Sequence, residues 1–201
     1  LDSLGVWRSH GSYIDTLKDE VREDLEVLLR ENLDISIRKL RTVSHVHRRA
    51  TLVHVLIHLR EVSVSFVGYL TSKAWAHESD EVPILRKKVT SVVTQEGAAP
   101  NSHDFKYMVE VIDNMPTDEA LTAPVPELAT LTRLALEVFS QEDTRSLTTI
   151  DSLRRRALTT VIMPPERYSA AVQGDIQKIL EETFAATPYS SDTHLDSSKK
   201  R

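Results

Sequence analysis

The chain has 201 residues, 40% of them hydrophobic, and no cysteine. That length can bury one substantial core, and the missing thiols remove disulfides, zinc-thiolate sites and cysteine nucleophiles together. A formal net charge of −5 argues against a general polyanion binder, because such domains carry a basic excess that displaces counterions from phosphate.

No leader of signal-peptide type and no long apolar run occurs, so no transmembrane segment is expected and the location read from the sequence is cytoplasmic. Between Gly11 and Pro83 the single breaker is Gly68, which favours long helices joined by short polar turns.

From Tyr13 to Asn32 the apolar positions Tyr13, Ile14, Leu17, Val21, Leu25, Leu28 and Leu29 recur at three and four, the spacing of one helical face. The opposite face is charged and mostly acidic. Asn32 suits a helix stop and Asp34 an N-cap, so a second helix is expected from Asp34 to about Tyr69. Within it Val62, Val64 and Phe66 alternate with Ser63, Ser65 and Val67, a period that suits a strand. Helix is nevertheless the reading here, because Val46 to Leu59 is apolar nearly all round, as a central buried helix would be.

Shorter helices follow, over Val82–Val93, from an N-cap at Ser102 through Met115, and after Pro126, which suits a first helical turn. Two more are expected over Arg145–Ile162 and Pro165–Ala186. The predicted fold is therefore all-α, a multi-helix bundle of about seven helices with a buried, histidine-striped second helix. Residues 1–186 are expected to form one helical domain and 187–201 a disordered tail.

Ile35 to Arg60 holds six basic residues and four of the eight histidines, without one carboxylate. On a helix, His47, His54, His58 and Glu61 would fall within roughly a 60° arc at about 100° per residue. Histidines at i and i+4 can share a divalent metal ion, with Glu61 as third ligand or base. The pattern HVLIH lacks the glutamate of HExxH, however, and a polar strip along a buried helix is more simply hydrogen-bonded and structural. The acidic first helix is expected to attract this basic segment.

His103-Asp104 reads as a helix start, with Asp104 a first-turn carboxylate. Arg154, Arg155 and Arg156 fan round a helix instead of forming a patch. No G-x-S-x-G elbow, glycine-rich phosphate loop or dinucleotide fingerprint is present.

The function read from these features is a protein-protein interaction or regulatory domain acting through helix faces, without intrinsic catalysis and without a cofactor. Its partner would be another protein or a second copy, with Arg48 and Arg49 as contact residues, and nucleic acid is disfavoured. The alternative is a helical metal-binding protein or metal-dependent hydrolase using His54, His58 and Glu61.

Overall fold

The computed structural model describes residues 8, 10–31, 34–44, 51–59, 62–70, 78–150, 156–186, 191 and 193, the side chains of Leu28 and Glu31 excepted. The chain divides into two compact units. One comprises Leu1–His77 with Thr117–Thr122, and the other Glu78–Pro116 with Ala123–Arg201.

In the first unit a helix, α1 (Ser12–Glu31), precedes three strands, β1 (Ile35–Val43), β2 (Thr51–Leu59) and β3 (Val62–Gly68). They form an antiparallel sheet in the order β1-β2-β3. Register sorts the side chains into two faces. Ser36, Leu56 and Ser65 share one row, and Arg38, His54 and Val67 the next. On the other face lie the rows Ile35, Ile57 and Val64, and Ile37, Val55 and Phe66. Leu17 of α1 packs with Leu40 and Leu52 in a buried cluster flanked by Val21, Val67 and Tyr69, so α1 covers the first face.

The expected all-α bundle of seven helices is thus corrected. The described residues contain six α-helices and five strands in two antiparallel sheets. Residues 34–69 suit one helix by composition, because β2, TLVHVLIHL, is apolar nearly all round. A strand between two others with both faces apolar has the same composition. The β-branched residues Thr51, Val53, Val55 and Ile57 lose side-chain freedom in a helix and fit a pleated surface. The alternation over Val62–Val67 was the true signal.

The stretch Arg145–Ile162, expected to be a helix, is likewise corrected. It is a hairpin of β4 (Arg145–Ile150) and β5 (Ala157–Ile162), rich in threonine, valine and isoleucine. Of the tail expected to be disordered, 187–201, all but Ser191 and Thr193 lies outside the described residues.

A short helix, α4 (Thr117–Thr122), belongs to the first unit. The second unit contains α2 (Pro83–Glu96), α3 (His103–Asp113), α5 (Val125–Gln141), the β4–β5 hairpin and α6 (Ala170–Phe184). Its core joins Leu85, Val89, Val92 and Val93 of α2, Met108 and Ile112 of α3, and Leu128, Leu131, Ala135 and Val138 of α5.

Local chemistry sets the helix ends. Gly97 takes the left-handed conformation, φ 69°, that closes α2 at least cost to a residue without a Cβ. Ser102 Oγ accepts from the Phe105 amide at 3.1 Å, as an N-cap does. Asp104 is the acidic residue of the first turn of α3.

Candidate functional site

The polar groups of the first unit concentrate between α1 and the sheet. Glu20 and Asp24 lie one turn apart on the same face as Leu17 and Val21, so helical spacing drives two carboxylates into a buried seam, where both are fully enclosed. Buried carboxylates require donors, and the sheet supplies them.

Between Lys39 and Val43 the β1–β2 register shifts. A bulge of that kind frees backbone amides from the ladder. Glu20 takes them: Oε2 accepts from the Arg41 amide at 2.6 Å, and Oε1 accepts from the Thr42 amide at 3.1 Å and from the Thr42 hydroxyl at 2.6 Å.

One turn further on, Asp24 Oδ2 lies 2.8 Å from His54 Nδ1, and His54 Nε2 lies 2.9 Å from Ser65 Oγ. A carboxylate only accepts, so Nδ1 carries the proton that joins His54 to Asp24. Carboxylate, imidazole and hydroxyl in that order are the orienter, base and nucleophile of acyl-transfer sites. Here Ser65 stands opposite Leu56 inside the regular β2–β3 ladder, and Asp24 and His54 are buried. The chain of contacts therefore satisfies buried polar groups and ties α1 to β2 and β3, while Glu20 ties it to β1.

Beside this seam Ser12, Tyr13, Thr16, Glu20, Arg41, Thr42 and Val43 line an open groove of about 480 Å³. The Tyr13 hydroxyl donates to the Val43 carbonyl at 3.1 Å. Burial, and then the Glu20 carboxylate, raise the Tyr13 phenol above its ordinary value. On the opposite face of the sheet, Lys39 Nζ lies 2.5 Å from both Asp118 Oδ2 and Glu119 Oε1 of α4.

The histidine stripe is dispersed by the strand. At about 3.3 Å per residue, His54 and His58 stand roughly 13 Å apart along β2. His54 meets Asp24 and Ser65, whereas His58 Nδ1 lies 2.9 Å from Ser63 Oγ. The structure does not bring these two rings together. His47, Glu61, Arg48 and Arg49 lie outside the described residues. Among the described residues no group of three histidine, aspartate or glutamate side chains is placed to hold a metal ion, and no helix is long and apolar enough to cross a membrane. The sequence reading missed Asp24 and Glu20 as site residues. The available signal was their position inside the apolar stripe of α1.

A second cluster sits in the other unit. Lys88 of α2 donates to the Ala123 carbonyl at 2.6 Å. Burial pulls its amine from 10.5 down to about 8, with the Glu127 carboxylate opposing the shift. Burial raises the Glu127 carboxyl, against the Thr149 hydrogen bond and the charges of Arg156 and Lys88.

Between pH 8 and 10.5 the unfolded chain therefore binds more protons at position 88 than the folded one, so this group makes stability rise with pH across that window. The wild type is expected to gain on the order of 3 kcal/mol over Lys88→Met through that interval. Chemical unfolding of both proteins at the two ends of the interval measures it, and a pH-independent difference would exclude a desolvated amine.

The glutamate dehydrogenase, helical motif 1 family matches residues 82–143, the stretch from the start of α2 to just past α5. An NAD-specific glutamate dehydrogenase of Pseudomonas aeruginosa is 27% identical over 180 residues, covering 85% of this chain and 11% of the relative. One from Halomonas elongata is 25% identical over 133 residues, 66% of this chain and 8% of its own length. One from Mycobacterium tuberculosis is 27% identical over 122 residues, 61% of this chain and 8% of its own. The chain thus spans about a tenth of the length of the curated relatives it matches.

Proposed function

We propose that this chain is a regulatory or assembly segment of a large, cytoplasmic NAD-specific glutamate dehydrogenase and contributes protein contacts instead of catalytic groups. The observation that carries this reading is the similarity to such enzymes over 85% of the chain. Two features support the non-catalytic part. The polar groups of the α1–sheet seam engage one another, and the five glycines form no dinucleotide fingerprint of the kind that cradles a pyrophosphate. The nicotinamide cofactor and glutamate would then be held elsewhere in the longer polypeptide. Arg48 and Arg49 are the residues we assign to contact with a protein partner, since two adjacent guanidiniums supply forked donors for carboxylates.

The test is an assay of NAD-dependent glutamate oxidation on three proteins: the full polypeptide carrying this chain, the same polypeptide with Arg48→Glu/Arg49→Glu, and the 201-residue chain alone. The full polypeptide should be active and the chain alone inactive. The double variant should change assembly in sedimentation or the substrate dependence, with kcat altered less than about threefold. Turnover by the isolated chain, or none by the full polypeptide, would sink the proposal.

A further inference from the structure

The sheet face turned away from α1 is an open apolar surface. Three cross-strand rows build it: Ile35, Ile57 and Val64; Ile37, Val55 and Phe66; and Leu59 with Val62. None of these eight residues is charged. Ile35 is 46% exposed, Leu59 59%, Val62 60% and Phe66 57%, while Ile37, Val55, Ile57 and Val64 are half-buried. Further along the same face Lys39 meets Asp118 and Glu119, and Val53 is buried. α4 therefore contacts the Lys39 end of the face, and the three rows beyond remain open.

An apolar sheet face requires a layer packed on it, and monomers seldom leave a contiguous apolar patch of several hundred Å² in water. We infer that this face is where a second copy of the chain docks, sheet against sheet about a two-fold axis.

Area, charge and symmetry select that occupant. The four exposed side chains present on the order of 400 Å² per copy, and with their half-buried neighbours two copies would enclose close to the ~1,000 Å² at which specific interfaces begin. Because the three rows carry no charge, two identical faces meet without like-charge repulsion. A two-fold contact uses the same patch twice and closes on itself, so no complementary surface is needed elsewhere on the molecule. Two sheets packed this way stand about 10 Å apart with interleaved side chains. A membrane surface fits less well, because no lysine or arginine stands on the three rows to meet anionic lipid.

Sedimentation equilibrium of the 201-residue chain across the micromolar range tests the inference. The wild type should be a reversible dimer. Val62→Lys and Phe66→Lys project from exposed positions and should leave the circular dichroism unchanged. Each should weaken dimerisation at least about a hundredfold, as removal of a central apolar anchor does.

Leu29→Lys, on α1 and 52% exposed, is the control and should dimerise like the wild type. A monomeric wild type overturns the inference, as does a dimer that survives Phe66→Lys or one that Leu29→Lys weakens equally. Association is read here on the isolated chain without a dehydrogenase assay, so this result and that of the glutamate test stand or fall separately.

Discussion

Asp24→Ala should be among the most damaging single substitutions in the first unit, lowering its stability by about 3–5 kcal/mol. The carboxylate is fully buried and meets an equally buried His54 at 2.8 Å. Removing it leaves an imidazole N–H enclosed without that acceptor. The loss is thus the desolvation of an orphaned group more than the value of the bond itself.

The double variant Asp24→Leu/His54→Phe separates these contributions, because it removes the fully buried donor and acceptor together and takes a partner only from the half-buried Ser65 hydroxyl. It should lie much closer to the wild type than the sum of Asp24→Ala and His54→Ala. Asp24→Asn retains a carbonyl acceptor for Nδ1 and should cost only about 1–2 kcal/mol. Amide hydrogen exchange along Thr51–Leu59 reports the first unit directly, which matters in a chain of two compact units. Protection in Asp24→Ala within about 1 kcal/mol of wild type would refute the role assigned to the seam.

Lys39→Met is the second large effect, expected at about 3 kcal/mol. The ammonium is nearly buried and stands between two carboxylates that are themselves shielded, with side-chain exposures of 9%, 15% and 12% for Lys39, Asp118 and Glu119. Methionine keeps the stem packed but removes the cation that both acids face, so α4 should detach before the sheet unfolds. Hydrogen exchange should therefore show lost protection over Thr117–Thr122 while β2 amides stay slow. Adding Asp118→Asn and Glu119→Gln to Lys39→Met should restore most of the loss. If the triple variant is no more stable than Lys39→Met alone, repulsion and desolvation of the two carboxylates are not what holds α4.

Both effects arise in the seam and bridge that tie α1 and α4 to opposite faces of one sheet, which is also the sheet with the open apolar rows. Buried ion pairs are weak sources of net stability, yet they are stringent about geometry. In this unit they fix which face of the sheet each helix covers. The Lys39 bridge gives α4 a defined seat at one end of its face, while the α1 seam lies on the other.

Several elements were legible in the residues alone. The three-and-four spacing of Tyr13 to Leu29 defines α1, and Ser102 and Pro126 mark the starts of α3 and α5. Caps and helical stripes depend on neighbours within a turn, so sequence carries them without knowledge of the fold. The acidic α1 followed by a basic, histidine-rich segment was legible as well; in the structure Glu23 lies 3.7 Å from Arg41 and Asp24 2.8 Å from His54, whereas Glu20 accepts from the backbone amides of Arg41 and Thr42.

The state of residues 34–69 was not legible, nor that of 145–162. In β2 apolar residues stand on both faces, so the pattern suits a buried helix as well as a strand and periodicity does not decide between them. Pairing partners decide between them, and those lie in other parts of the chain. That decision also controlled the chemistry. On a helix His54 and His58 would have pointed at one point in space; on β2 they stand four residues apart along an extended backbone and take different partners. The Asp24–His54 contact spans 30 residues and the Lys39–Glu119 contact 80. No local pattern encodes pairs so distant, because only the strand register and the seating of α1 and α4 bring their charges within hydrogen-bonding distance.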